Sequence, residues 1–432
     1  MDKQREYALK KLIKINENRS FSSELLGDLN YEFSLQEAGF IRTIIMGTIK
    51  NQMYMDYLIK KLSKVRFKKI HTSILNILRM SLYQLIYMEH IPESAVINEA
   101  VNLAKKYGHK GSSGFVNGVL RNFVRNKEEY MDLSSLDKIE RLSTEFSYPE
   151  YIIRLWEEER GEGLEDLLKF LNTESEFSIR VNTLLTTKEK LIEDIENMGI
   201  EVKESNISND ALIVSNPNKI INSELFKSGQ FYIQSESSIK VGDVVEPNKN
   251  DIIIDMCAAP GGKSTHLAQK TDDMAEILAF DIYDAKLNKI KENCNRLKIK
   301  SITTSLNDAT VYNKKYDEYA DIVLIDAPCS GFGLLRKKPE IKLFRTEQDI
   351  EELVAIQNDI LNVAKNYVKV GGNLIYSTCT INRHENEDNV EKFLKENENF
   401  KLISIENQRY IKYIPNIHGT DGFFIAKLEK IS

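Results

Sequence analysis

Ile252-Ile253-Ile254-Asp255-Met256-Cys257-Ala258-Ala259-Pro260-Gly261-Gly262-Lys263-Ser264-Thr265 is the stretch whose reading decides the fold of this chain. Three β-branched residues read as a buried strand, and the Gly-Gly pair as a tight turn that opens a helix. Such a turn lets a ligand approach the backbone closely, and the first helical turn offers N–H groups with no internal partner. Outward from it, apolar runs recur at 277–280, 322–325, 374–376 and 423–428, with helical stretches such as 285–297 and 347–368 between most of them. Strands alternating with helices of this length imply βαβ units and a mainly parallel, Rossmann-like α/β sheet.

Two ligands compete for the glycine turn. A phosphate-binding loop needs G-x-x-x-x-G-K-[ST]. Gly262-Lys263-Ser264 fits that pattern, but Cys257 stands where the first glycine belongs. A nucleoside cofactor instead needs an acidic residue at the end of the next strand, roughly 20 residues on, to hold ribose hydroxyls. Asp281 stands there, Asp308 follows the third apolar segment, and Asp326 ends the fourth. Carboxylates in register on three strand ends suit ribose, adenine and a cationic centre together, which S-adenosylmethionine combines. Any one of them alone reads equally well as a turn or cap residue.

Two cysteines follow strands of the same domain. Cys329 lies in Asp326-Ala327-Pro328-Cys329-Ser330-Gly331, and Cys379 in Ser377-Thr378-Cys379-Thr380. Ligands of open α/β sheets bind at the carboxyl ends of the strands. Two thiols on that edge imply covalent chemistry, one as nucleophile and the other as helper. Beside a methyl donor, the matching reaction is pyrimidine C5 methylation. Thiolate addition to C6 makes C5 enamine-like; loss of the C5 proton and elimination of the thiol then free the product. Asp326 is placed to bond the ring N3 and exocyclic amino group, which favours cytosine. The base must leave any stack to reach such a pocket. Of the other thiols, Cys257 reads as a small residue in the turn and Cys294 as an inert helical one. No C-x-x-C pair occurs, so no metal site is expected.

At 432 residues the chain calls for two or three domains. No apolar run is long enough to span a membrane, and the amino end has no apolar signal core. A cytoplasmic chain with reduced thiols is expected. The net charge of −6 hides an asymmetry: residues 1–130 carry +8 and the remainder −14. A basic first third on an acidic body is expected where one module docks on phosphate, although a lysine-rich solvated surface competes with that reading. Ile41, Ile44, Ile45 and Ile49, and then Ile74, Ile77, Leu78 and Leu82, repeat at helical spacing. Pro92 marks a loop before a helix start, and residues 108–114 form a glycine-rich loop. Helices continue over 143–172. A strand at 177–182, a helix at 188–197 and a strand at 211–214 make a small α+β module, and Glu246-Pro247-Asn248-Lys249-Asn250 is a boundary.

Residues 256–264, 326–333 and 377–380, Gln234-Ser235-Glu236-Ser237-Ser238 and Asp421-Gly422-Phe423-Phe424 resemble the motifs of RNA cytosine-5 methyltransferases. The helical first third, residues 91–122 above all, resembles the NusB antitermination-factor fold. Together they resemble the 16S ribosomal RNA cytosine-5 methyltransferase B family of bacteria, nearly end to end. The resemblance implies an all-α NusB-like RNA-binding domain over 1–135 and a helical linker with a small α+β module over 136–240. A Rossmann-like methyltransferase domain then covers 241–432. It implies Cys379 as nucleophile and Cys329 as the residue that assists product release. It maps the contacts to S-adenosylmethionine onto Cys257, Ala258, Ala259, Pro260, Gly261, Gly262, Lys263, Asp281, Asp308 and Asp326. Arg180, Asn182, Arg336, Lys337 and Lys338 are the candidate RNA contacts. The implied partner is 16S ribosomal RNA or a small-subunit assembly intermediate, bound by a monomer. Another RNA such as tRNA, or a non-catalytic antitermination-like module, is the alternative. Two positions depart from the family pattern. Thr380 replaces serine and keeps a hydroxyl, and Leu343 replaces a tryptophan, removing a ring whose stacking on a base is worth ~1–3 kcal/mol.

Overall fold

The computed structural model describes every residue except Met1, Phe21 and Asp28. The chain divides into two compact units. One is Met1–Asn172 with Lys337–Phe344; the other is Thr173–Arg336 with Arg345–Ser432. Residues 136–172, grouped with the middle module by sequence, therefore pack with the helical unit, and the α+β module falls in the second unit with the larger sheet.

The first unit is helical, with long helices at Lys3–Asn18, Leu35–Lys50, Gln52–Leu62, Thr72–Tyr87, Glu93–Tyr107 and Ser112–Arg125. Both sequence stripes face its core: Ile41, Ile44, Ile45, Ile49, Ile77, Leu78 and Leu82 are fully buried. The helix Leu35–Lys50 starts on a capping box, in which Ser34 and Glu37 satisfy each other's backbone N–H groups. The expected loop at 108–114 is shorter, because the next helix already begins at Ser112 behind Gly111, whose φ is +98°. The helices Lys138–Phe146, Glu150–Arg160 and Leu164–Leu171 belong to the same unit.

The segment Lys337–Phe344, a short way past Cys329 in sequence, belongs to this helical unit. Glu340 is fully buried and accepts from the N–H and O–H of Ser22 at 2.7 and 2.9 Å. Lys342 is also buried. Its ammonium donates to the carbonyls of Lys50 (2.8 Å) and Phe146 (3.3 Å) and lies 3.9 Å from the ring centroid of Tyr148. Those carbonyls end two helices, where acceptors lack internal donors and the helix dipole is negative.

The second unit holds two sheets. The smaller is antiparallel, in the order β2-β3-β1-β4, built from β1 (Ser178–Val181), β2 (Val202–Glu204), β3 (Ala211–Val214) and β4 (Phe231–Ile233). The helix Lys188–Asn197 buries Leu191 and Ile195 against it. The larger contains β5 (Ile252–Asp255), β6 (Glu276–Asp281), β7 (Ile302–Leu306), β8 (Ala320–Asp326), β9 (Val368–Thr378), β10 (Phe400–Ile403), β11 (Ile411–Tyr413) and β12 (Phe423–Lys430). Its order is β10-β12-β9-β8-β5-β6-β7, with β11 pairing β12. Strands β5 to β9 pair in parallel, as the βαβ rhythm requires, and β12 runs antiparallel to β9, β10 and β11. The chain winds outward from β5 through β6 to β7, then returns to β8 on the other side of β5. The crevice at the carboxyl ends of β5 and β8 is thus a topological switch point, where ligands of such sheets bind.

Candidate active site

The glycine turn leaves β5 at Asp255 and enters the helix Gly262–Lys270. Gly261 has φ +98°, and a Cβ there would lie 3.2 Å from Cγ2 of Ile290. A Cβ on Gly262 would lie 3.2 Å from the Tyr232 ring. No side chain caps the helix start, so its N–H groups remain for a ligand. Beneath the turn, fully buried Asp255 accepts from the Ser264 hydroxyl at 2.6 Å. Burial, reinforced by the charge of Asp326, pushes the Asp255 carboxyl up to about 7.

Arg180 supports this turn from below. Its guanidinium is fully buried and donates to Gln269 Oε1 (2.9 Å), Gln234 Oε1 (2.5 Å), Thr265 Oγ1 (2.9 Å) and the Gly262 carbonyl. Burial lowers it to about 9. Arg180 is a candidate RNA contact from the sequence; in the structure its guanidinium donates inside the protein. Asn182 is likewise turned inward: its buried amide donates to the carbonyls of Gly229 and Leu297 at 2.8 and 3.0 Å. Arg336, also buried, donates to the carbonyls of Glu174 and Gly419. Lys337 and Lys338 are half-buried.

The three carboxylates stand at the expected edge. Asp281 ends β6 and accepts from the Tyr283 N–H at 3.1 Å. Asp308 lies just past β7 and accepts from the N–H and O–H of Thr310 at 2.9 and 2.7 Å. Asp326 ends β8, with Lys263 Nζ 2.6 Å from one oxygen and the Ser377 hydroxyl 3.1 Å from the other. Ile282 and Tyr283, 52% and 58% exposed, form an apolar shelf immediately after Asp281. The sequence reading passed over that shelf, although large apolar residues directly after a strand-ending acid were visible.

The two catalytic-edge thiols meet. Asp326 and Ser377 are register partners on parallel β8 and β9, which sends both cysteine loops off the same edge. Cys329 and Cys379 are half-buried, and their Sγ atoms are 3.2 Å apart. The bond to Cys379, burial, and the nearby charges of Glu385 and Asp326 push the Cys329 thiol well above its ordinary range. The Gly333 N–H donates to the Cys379 carbonyl at 3.0 Å, and the Gly333 carbonyl accepts from Gly422 at 3.0 Å. A Cβ on Gly333 would fall 1.9 Å from the Gly422 carbonyl oxygen, so only glycine lets these backbones approach. Burial, first of all, raises the thiol of Cys257 in the glycine turn, and it lifts Cys294 to about 11. Neither is activated.

Away from this edge, Asp210, Asp243 and His266 are the group with metal-ligating reach among the described residues. The Lys270 ammonium stands 2.7 Å from each carboxylate, and His266 Nε2 lies 3.0 Å from Asp210. Burial, partly offset by that aspartate, holds His266 at about 4.

Family models match the chain in three segments: "16S rRNA methyltransferase RsmB/F" over residues 243–429, "NusB family" over 2–125, and a "Methyltr_RsmF/B-like, ferredoxin-like domain" over 148–221. A protein of Bacillus subtilis (strain 168) named "Probable ribosomal RNA small subunit methyltransferase B" is 34% identical, across 99% of this chain and 98% of its own length. The crystal structure of PH0851 superposes with a TM-score of 0.87 at 27% identity, covering 100% of this chain and 99% of that one. NSun6 from Pyrococcus horikoshii with SFG superposes with a TM-score of 0.58 at 26% identity, covering 66% and 97%. The all-α amino-terminal domain, the small α+β module and the Rossmann-like domain anticipated from the sequence are all present. The chain belongs to the ribosomal RNA small subunit methyltransferase B family.

Proposed function

We propose that this RNA methyltransferase transfers a methyl group from S-adenosylmethionine to C5 of a cytosine in 16S ribosomal RNA, through a covalent adduct between Cys379 and C6. The observation that carries the reading is the pair of thiols 3.2 Å apart on adjacent strand ends, beside Asp326 and Lys263. The residues at the switch point fit the cofactor. The glycine turn leaves a cradle with an uncapped helix start, and Asp281, Asp308 and Asp326 offer acceptors for hydroxyls, an amino group and a cationic centre. Cys257, Ala258, Ala259, Pro260, Gly261, Gly262 and Lys263 would line the cradle. Bound there, S-adenosylmethionine supplies an electrophilic methyl group. NSun6, similar over two thirds of this chain, was crystallised with the S-adenosylmethionine analogue SFG, which supports the same choice.

The roles of the two sulfurs are those the family resemblance implies, and their surroundings support them. Cys329 keeps its proton, because Cys379, burial and two carboxylates all favour the thiol. Either sulfur can donate across the 3.2 Å contact; with Cys329 as the donor, Cys379 is the sulfur that attacks C6. Asp326, held by Lys263 and Ser377, is positioned to accept from the cytosine amino group. After methyl transfer the C5 proton leaves to a base, its electron pair restores the C5–C6 double bond, and the C6–S bond breaks onto Cys379. Cys329 assists that release.

The name of the B. subtilis relative supports the small-subunit RNA as substrate, free or in an assembly intermediate. The basic helical unit supplies a surface for its phosphates. Cys379→Ala is expected to abolish methylation of a small-subunit RNA transcript. Cys329→Ala is expected to accumulate a protein–RNA adduct that survives denaturing electrophoresis. Full activity in Cys379→Ala, or an adduct trapped by that variant instead, would overturn the assignment.

A further inference from the structure

The loops carrying the two cysteines are joined by a residue that belongs to neither motif. Glu385 lies six positions after Cys379, in the turn Arg383–Glu385, and is fully buried. Its carboxylate takes four donors. Oε1 accepts from the Ser330 N–H at 2.7 Å and from Gln357 Nε2 at 3.2 Å. Oε2 accepts from the Ser330 hydroxyl at 2.6 Å and from Asn382 Nδ2 at 3.0 Å. Because Ser330 Oγ gives its proton to Glu385, it takes one from Thr380 Oγ1, 2.8 Å away. Ser330 directly follows Cys329, and Thr380 directly follows Cys379. Gln357 spends its second amide proton on the Pro328 carbonyl at 2.8 Å, on the other side of Cys329. Asn389 in turn fixes the oxygen of Gln357 at 2.7 Å.

We propose that Glu385 is the positioning residue of the two-thiol reaction, holding the backbone on either side of Cys329 and beside Cys379 so that the two sulfurs stay in contact through adduct formation and release. The inference rests on the covalent mechanism proposed above. Glu385 touches no reacting atom. What it supplies is the acceptor set of a carboxylate, on which four donors converge. Its charge also favours the protonated form of Cys329. Release needs one sulfur placed at the C5–C6 bond while the other departs from C6. A shift of about 1 Å in such a placement costs up to ~100-fold in rate. Loss of the carboxylate therefore slows release more than attack, because attack needs only one of the sulfurs in place.

Glu385→Gln keeps the shape but turns one acceptor oxygen into a donor that faces Ser330 and Asn382. Ser330→Ala is the milder cut, removing the hydroxyl link and keeping the N–H bond. The test measures, for full-length wild type and both variants, steady-state turnover on a small-subunit RNA transcript and the fraction of enzyme in the denaturant-stable adduct. S-adenosylmethionine affinity by titration calorimetry reports an intact fold. The expected result is unchanged cofactor affinity, turnover down ~10–100-fold in Glu385→Gln, and a several-fold larger adduct fraction. Ser330→Ala should shift both in the same direction by less. A merely structural role would lower turnover and adduct in proportion, and that result, or wild-type values in both variants, overturns the inference. If Glu385→Gln fails to bind the cofactor, Ser330→Ala decides alone. A wild-type protein that never captures RNA overturns the proposed function and this inference together; wild-type capture with a constant adduct-to-turnover ratio in the variants overturns only the inference.

Discussion

Arg180 shows what a single residue can conceal. Its four acceptors lie between 54 and 89 positions away in sequence. The pattern at 177–182 marks a strand but not what covers this side chain. Arginine at a buried fork is not interchangeable with lysine, which cannot reach several acceptors in one plane. Arg180→Lys should leave two or more buried acceptors unmatched and cost about 2–4 kcal/mol. The measurement is a thermal melt, in which the midpoint falls by several degrees, paired with RNA binding across a salt series. The dependence of log K on log salt should stay as in wild type, since the side chain neutralises no phosphate. A variant with a wild-type melt and a shallower salt dependence would restore Arg180 as an RNA contact. Glu385 was illegible for the same reason. Asn382, Glu385 and Asn386 are polar yet fully buried, and burial of such a turn is decided by elements far along the chain. The two cysteines and the strand-ending aspartates were legible because their chemistry and spacing are local.

At the scale of elements, the helical repeats and βαβ rhythm were readable because each buries one face at a fixed period. The strands β10 and β11 were not: they are short, flank β12, and take their place from antiparallel pairing rather than from periodicity. One element has a consequence for binding. The end of the helix Gln52–Leu62 and the turn Phe67–Lys69 carry Lys60, Lys61, Lys64, Arg66, Lys68 and Lys69, all exposed, with no acidic residue among positions 57–88. Lys60 and Lys61 lie 5.3 and 4.8 Å from the ring centroids of Phe67 and Tyr57, an arrangement that presents cation and ring side by side. Replacing Lys60, Lys64 and Lys68 by glutamine should flatten the salt dependence of RNA binding by ~0.7–0.9 for each phosphate that the variant no longer neutralises. It should raise the KM for RNA, while kcat and the melting midpoint stay unchanged. An unaltered salt dependence in the triple variant would exclude this patch as an RNA contact.

For the whole molecule, every residue assigned to the cofactor lies in the second unit. A ligand that binds only a folded unit stabilises that unit, by ~2.7 kcal/mol at a concentration 100 times its Kd. The chain also holds its own reporter. Its single tryptophan, Trp156, is fully buried in the helical unit. Tryptophan fluorescence therefore follows the first unit alone, while calorimetry sees both. With saturating S-adenosylmethionine, one calorimetric transition should move up by several degrees, and the midpoint of the Trp156 fluorescence melt should stay where it is without cofactor. If the fluorescence midpoint climbs in step with the calorimetric one, the units unfold as one cooperative block. In that case the anchoring of Lys337–Phe344 through Glu340 and Lys342 is strong enough to tie the catalytic chain's stability to the helices. Repeating the melt with Lys342→Met would then separate the two midpoints again, because the carbonyls of Lys50 and Phe146 lose their donor.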